Sequence, residues 1–260
     1  MDVYVVIPAR NEIDRIGRTL DDYSRLEFHS HRVRIVVVSE SDDGTDDIVR
    51  KFEKRNGNIT LLKATSGSGK GGAIIRGFRY AMARSGRCII GFADADDAVT
   101  AKEFSRLLER LVSSKIVDGV IASRYSDGGS IEGRIGVGRK AASRAYNLLV
   151  RLLFRIGFSD TQCGAKVFKS ETLRKVIGLV DINGMSFDIN LLYELKIKGY
   201  TVVEQGVRYR QKNDGTNIRI LRNSPQMLVA ALGFRAYKSR FVRLFPKAVV
   251  RHVYKRIDRW

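Results

Sequence analysis

The residues best suited to chemistry lie just beyond short apolar runs. Asp94-Ala95-Asp96-Asp97 follows the run from Cys88 to Ala93. Carboxylates two positions apart in extended backbone point to one side, and two like charges so close repel unless a cation lies between them. Mg2+ or Mn2+, held by one or two carboxylates and completed by phosphate oxygens and water, is the expected occupant. A solvated acidic turn is the bland alternative, and a position at the end of a buried strand argues against it. The stretch Ser66-Gly67-Ser68-Gly69-Lys70-Gly71-Gly72 has the look of a phosphate cradle. A P-loop would need Gly at 64 and Ser or Thr at 71, where the chain has Ala64 and Gly71. The pattern G-x-G-x-x-G fits Gly67, Gly69 and Gly72, yet it follows a third strand and lacks the acidic residue about 20 positions on. What survives is a turn that presents Lys70 at a helix N-terminus, where an anion is favoured. In Ser39-Glu40-Ser41-Asp42-Asp43-Gly44-Thr45-Asp46 the carboxylates either cap a helix or face a ligand, and for Asp43 and Asp46 capping is the simpler role.

These loops need a scaffold, and the hydrophobic pattern supplies one. Near-continuous Val/Ile runs at 3–8, 33–39, 59–64, 87–93 and 119–123 alternate with helical stretches at 14–27, 45–55, 71–83 and 101–113. That alternation predicts an α/β fold with a mostly parallel sheet covered by helices on both faces. Ligands of such sheets bind beyond the C-terminal strand ends, which is where the polar loops fall, starting with Pro8-Ala9-Arg10-Asn11-Glu12. With 260 residues, 44% hydrophobic, 24 Gly and only 3 Pro, the chain reads as one large folded domain with an appendage. Two cysteines far apart, Cys88 and Cys163, support neither a disulfide framework nor a structural zinc site. The start, MDVYVVIPAR, has no basic region or cleavage site, so a reducing cytosolic setting is expected.

The charge is unevenly spread. Residues 1–130 carry a net +2, residues 131–260 a net +17, and the whole chain +19. Such a field attracts a polyanion, either nucleic acid or an anionic membrane surface. In 139–156 the polar residues Lys140, Arg144, Asn147, Arg151 and Arg155 recur at helical steps, opposite an apolar face of Ala145, Leu148, Leu149, Leu152, Leu153, Phe154 and Ile156 that is expected to be buried. From 225 to 260, nine Lys and Arg stand against a single acid, Asp258, interleaved with aromatic and aliphatic residues. This predicts two amphipathic helices broken at Pro246 and lying in a headgroup region. An RNA-binding tail is the competing reading, and the high apolar content favours the membrane. The longest charge-free stretch there, 223–234, has twelve residues, against the roughly 20 of a spanning helix.

Assembled in order, VVIPARNE (5–12), SESDDGTDD (39–47), GSGKGGAIIRGF (67–78), FADADDAVT (92–100), IASRY (121–125), SDTQCGAKVF (159–168) and FDINLL (187–192) resemble the GT-A fold (Rossmann-like) family 2 glycosyltransferases, specifically the polyprenyl-phosphate or dolichyl-phosphate sugar synthases. The DTQCG stretch is most similar to the dolichyl-phosphate glucosyltransferase branch. Arg10 stands where that family usually has Tyr, and Gly215-Thr216-Asn217 where Gly-Ser-Lys is common. The resemblance implies that Pro8, Ala9, Asn11, Glu12, Asp42, Lys70, Asp94 and Ala95 contact a UDP- or GDP-linked sugar donor. Asp94 and Asp96 would hold Mg2+ or Mn2+ on its diphosphate. Arg124 and Arg139 would hold the acceptor phosphate of a polyprenyl or dolichyl lipid, and Asp160, Gln162 and Asp188 would lie near the sugar as the catalytic group. It further implies a glycosyltransferase domain over 1–222, with a donor half to about 125 and an acceptor half from about 126, followed by membrane-associating helices over 223–260.

The implied reaction is an inverting displacement at the anomeric carbon. A phosphate acceptor with its second pKa near 6 is already mostly dianionic, so no obligatory base is needed. Asp160 is then expected to position groups or steady the sugar's positive charge. The chain is expected at the cytoplasmic face of a membrane, peripheral, with no nucleic acid partner. The rivals are a polysaccharide synthase or other hydroxyl-acceptor glycosyltransferase, which would need a base, a metal-dependent nucleotidyltransferase, and a non-enzymatic basic RNA- or membrane-binding module.

Overall fold

Val and Ile side chains suit a pleated surface covered on both sides, and the runs rich in them form the strands. The computed structural model describes residues 1–133, 136–180, 187–211 and 231–235, with the side chains of Val137 and Arg139 outside that description. Strand β1 (Asp2–Ala9) leads to α1 (Ile16–Ser24), β2 (Arg32–Ser39) to α2 (Thr45–Arg55), β3 (Ile59–Lys63) to α3 (Gly69–Arg84), and β4 (Cys88–Ala93) to α4 (Ala101–Val112). Then come β5 (Gly119–Ser123), β6 (Ser130–Glu132), α5 (Val137–Phe154), β7 (Ala165–Lys169), α6 (Ser170–Val176), α7 (Phe187–Ile197), β8 (Val202–Gly206) and β9 (Arg208–Arg210).

Seven strands form one sheet in the order β3-β2-β1-β4-β7-β5-β8, and β6 pairs with β9 beside it. The sheet is mostly parallel, as the alternation predicts, with one exception. Strand β7 runs antiparallel between β4 and β5, with Ala93 opposite Ala165 and Ile121 opposite Lys166. Its N-terminal end therefore reaches the edge where β1, β2, β4 and β5 end, and it carries residues 160–164 to that edge.

Successive strand residues face opposite sides, and the core divides accordingly. Tyr4 and Val6 of β1 pack with Phe78, Phe92 and Phe168 on one face. Val3, Val5 and Ile7 pack with Ile16, Val49 and Phe104 on the other. Helix α3 lies so close to β1 that a Cβ on Gly77 would come 2.4 Å from Val6 Cγ1.

Helix α5 differs from the expectation of a solvated polar stripe opposite a buried apolar face. Asn147 is buried, accepting hydrogen bonds from Thr161 N and Oγ1 at 3.1 and 3.2 Å. Leu148 and Leu152 are 54% and 70% exposed. The fold buries a narrower seam, Asn147, Val150 and Phe154, because α5 meets the domain along one line instead of a broad face. Of the expected amphipathic tail, 231–235 is helical, and Phe234 stacks on Phe154 with ring centroids 5.3 Å apart. The rest of 223–260, Pro246 included, lies outside the described residues.

Candidate active site

The loops after β1, β2 and β3 enclose a cleft of about 420 Å3 lined by Arg10, Asn11, Ser39, Glu40, Ser41, Asp42, Lys63, Ala64 and Ser66. Asn11, at φ 55°, cross-links the first two loops: its amide donates to Ser41 Oγ at 3.0 Å, and its Oδ1 accepts from Asp42 N at 3.2 Å. The structure also sorts the acids of the second loop. Asp43 accepts from Ile13 N and from Thr45 N and Oγ1, bonds that outweigh burial and hold its carboxyl below the usual range. Asp46 is buried against Ser39 Oγ and Lys63. Both acids serve the scaffold, and Asp42 is the one that lines the cleft. Sequence reasoning missed Ser39, Ser41, Lys63 and Ser66, although their position at strand ends was a usable signal.

Beyond β4 the backbone turns, where the spacing of the carboxylates predicts extended chain. Asp96 Oδ1 accepts from Ala98 N at 3.0 Å, and Thr19 Oγ1 donates to Ala95 O at 2.7 Å, which fixes the turn to α1. Lys70, in the first turn of α3, puts its ammonium 2.6 Å from Asp94 Oδ1. Burial raises the Asp94 carboxyl above its ordinary range; Lys70 opposes that, while Asp96 and Asp188 reinforce it. Burial works against the charge of Lys70, yet Asp94, Asp188 and Asp96 together lift its pKa above the usual lysine value. Glu12 faces the same acidic turn: burial raises its carboxyl, Arg15 at 2.6 Å opposes this, and Asp96 and Asp94 add to it. Pro8 and Ala9 end β1 beside this loop.

On the β7 side, Asp160 is fully buried and Arg124 grips it in bidentate fashion, Nε to Oδ2 at 2.7 Å and Nη2 to Oδ1 at 2.9 Å. The amides of Arg124 and Gln162 donate to the same carboxylate. Burial pushes Asp160 up, but the hydrogen bonds and charge of Arg124 prevail and hold it below the usual carboxylate range. With its lone pairs committed to these donors, the carboxylate is a poor proton acceptor. Arg124 also lies over the rings of Tyr125 and Tyr209 at 5.3 and 5.2 Å. Asp188, at the start of α7, accepts from Lys166 Nζ at 2.6 Å in a pair with Lys166 at 0% exposure. Lys166 and Lys70 lie over the same Phe92 ring, 5.1 and 5.8 Å from its centroid.

The structure thus brings Lys70, Asp94, Asp96, Arg124, Asp160, Gln162 and Asp188 to one edge of the sheet. Arg139 lies in the first turn of α5, its side chain outside the described residues. Gly164 and Lys166 fall within SDTQCGAKVF, and nothing in the local pattern gives either a role. A Cβ on Gly164 would come 2.1 Å from Asp94 Oδ2, so glycine there makes room for that carboxylate.

Asp94 and Asp96 suit a hard divalent cation. Their donors are oxygens, and the ammonium of Lys70 shows that the place favours positive charge. Among the described residues no group of three or more His, Cys, Asp or Glu could hold a metal. Two carboxylates would therefore leave the remaining positions to phosphate and water, the habit of Mg2+ sites.

The chain is 29% identical over 238 residues to a dolichyl-phosphate beta-glucosyltransferase of Dictyostelium discoideum, covering 86% of this chain and 70% of that protein. It is 28% identical to an undecaprenyl-phosphate mannosyltransferase of Micrococcus luteus, covering 83% of this chain and 86% of that one. Its fold matches glucosyl-3-phosphoglycerate synthase of Mycobacterium tuberculosis, crystallised with Mn2+, UDP and glucosyl-3-phosphoglycerate, with a TM-score of 0.61 at 19% identity over 90% of this chain and 79% of that one. This is the GT-A architecture. Residues 4–177 match Glycosyl transferase family 2, and with its strand-end loops, acidic turn and mostly parallel sheet the chain belongs to that family of glycosyltransferases.

Proposed function

We propose that the chain moves a sugar from a UDP- or GDP-linked donor to a polyprenyl phosphate, dolichyl or related, as a peripheral enzyme at the cytosolic face of a membrane. The carrying observation is the antiparallel β7, which sets the Arg124–Asp160 pair on the same sheet edge as Lys70, Asp94 and the cleft. Relatives named for polyprenyl-phosphate acceptors support the substrate class. Both cysteines are free and buried, in keeping with a reducing compartment. Among the described residues no helix is long and apolar enough to cross a membrane.

In this reading Asn11 and Asp42 hold the nucleotide with Pro8, Ala9, Glu12 and Ala95, and Lys70 meets the diphosphate. Mg2+ or Mn2+ on Asp94 and Asp96 would neutralise charge growing on the departing diphosphate. An acceptor phosphate oxygen attacks the anomeric carbon, the bond to the donor's phosphate oxygen breaks, and the sugar inverts. The acceptor is already ionised, which agrees with Asp160 being a poor proton acceptor. Two anions must meet, so a cation is required on the acceptor side; in this reading Arg139 supplies the charge, and Arg124, whose own charge Asp160 balances, orients the phosphate with the guanidinium edge that Asp160 leaves. Asp160 acts through Arg124, while Gln162 and Asp188 border the sugar.

The test is transfer of radiolabelled sugar from a panel of UDP- and GDP-sugars to polyprenyl phosphate in detergent, with Mg2+ or Mn2+ and with EDTA. Label should enter the organic phase with one donor and only with metal. Label appearing instead on a hydroxyl acceptor, with none in lipid for any donor, would overturn the acceptor assignment.

A further inference from the structure

Arg124 and Asp160 come from separate segments, the first directly after β5 and the second in the stretch before β7. A third element ties the two together. Strand β8, at the end of the sheet beside β5, carries Glu204 opposite Ile121. The Glu204 carboxylate accepts from the amides of Ser159 at 2.9 Å and Asp160 at 3.0 Å, and from Ser159 Oγ at 2.8 Å. Ser159 Oγ in turn lies 3.1 Å from Oγ of Ser123, the last residue of β5. The proton directions follow from the chemistry of the groups. An ionised carboxylate only accepts, so the single hydroxyl proton of Ser159 goes to Glu204, and the contact between the serines is donated by Ser123. The lone pairs of Ser123 Oγ then serve the amides of Tyr125 and Ser126, at 3.3 and 3.0 Å. One carboxylate thus fixes the amide of Asp160 and orders a chain of bonds that ends in the turn carrying Arg124.

We propose that Glu204 is a positioning residue for Arg124: it sets the two backbone segments between which the Arg124–Asp160 pair forms, and so the direction of the guanidinium edge that meets the acceptor phosphate. The inference deepens the polyprenyl-phosphate reading and rests on it for the ligand of Arg124. Ser159 and Glu204 are only half-buried, so water is at hand to satisfy these donors. What the carboxylate adds is a fixed geometry, and a guanidinium that orients a phosphate needs it to within about 0.5 Å. Glu204 also borders a cavity of about 560 Å3, so a substitution of equal size meets no tight packing there.

The test is Glu204→Gln in the full chain, with farnesyl phosphate as the acceptor. Glutamine keeps the size, but its amide nitrogen must face one of the two backbone N–H groups, which sets donor against donor. KM for farnesyl phosphate should rise about tenfold or more, while KM for the nucleotide-sugar and the affinity for Mn2+ stay within about twofold. Ser159→Ala is a smaller change that leaves both amide bonds and cuts the link to Ser123, and it should raise the same KM roughly fivefold. A second readout needs no substrate. Asp160 holds the Arg124 Nε proton at a donor–acceptor distance of 2.7 Å, so the parent should show it as a slowly exchanging nuclear magnetic resonance signal that Glu204→Gln abolishes. An unchanged acceptor KM in both variants overturns the proposal. So does a rise shared equally by donor and acceptor, the mark of a merely structural brace, or an Nε signal that survives Glu204→Gln. Loss of that signal in a protein whose parent transfers to no prenyl phosphate upholds the positioning of Arg124 and sinks the acceptor assignment.

Discussion

Replacing Asp160 by Asn keeps the shape of the side chain and removes its charge. Arg124 then loses the partner of two side-chain bonds, at 2.7 and 2.9 Å, to a fully buried carboxylate. Removing one member of a buried ion pair costs about 3–5 kcal/mol. Arg124 is 16% exposed and keeps two aromatic faces, which places the loss at the lower end, about 3 kcal/mol. For a domain of this size, that shifts the melting temperature by roughly 6–12 °C. The sign with pH follows from the depressed carboxyl. Stabilisation by Asp160 is fully present above the unfolded value near 3.9 and is lost as pH falls through the lower folded value. Melting of both chains by circular dichroism should therefore differ equally at pH 7 and pH 5, and the difference should shrink only as pH falls below about 4 toward the lower folded value. A melting temperature within about 2 °C of the parent at pH 7 would refute the buried-pair argument. A folded Asp160→Asn chain with full turnover would refute its role in holding Arg124.

Gly164→Ala drives a methyl to 2.1 Å from Asp94 Oδ2, so that carboxylate must move. Mn2+ affinity, read by electron paramagnetic resonance, should fall about 10–100-fold while the chain stays folded, and unchanged affinity would separate Asp94 from the metal. Lys166→Met leaves Asp188 unpaired in the core, and urea unfolding should show a loss of about 3–5 kcal/mol. Adding Asp188→Asn should restore much of it; strictly additive losses would mean the pair is not coupled.

Much of the scaffold is legible in local pattern. The helix over Thr45–Arg55 and the strand over Gly119–Ser123 fall where periodicity puts them, and most other boundaries differ by one to three residues. The acidic turn, the lysine at the start of α3 and the uneven charge need no tertiary information either. The reason is that periodicity, turn chemistry and net charge are properties of short windows of chain.

Partnerships across the sheet are of another kind. Nothing local orients β7 against its neighbours, yet that reversal delivers residues 160–164 to the acidic turn. Arg124 and Asp160 are 36 positions apart, and Lys166 and Asp188 are 22 apart. Each side chain alone suits a surface cation or a solvated acid. Burial decides otherwise, because a charge withdrawn from water must find its counter-charge wherever the sheet order places one. The same holds for α5, whose helical period showed a polar stripe and an apolar one. The width of the seam it shares with the domain determined that Asn147 goes inside and Leu148 and Leu152 stay out.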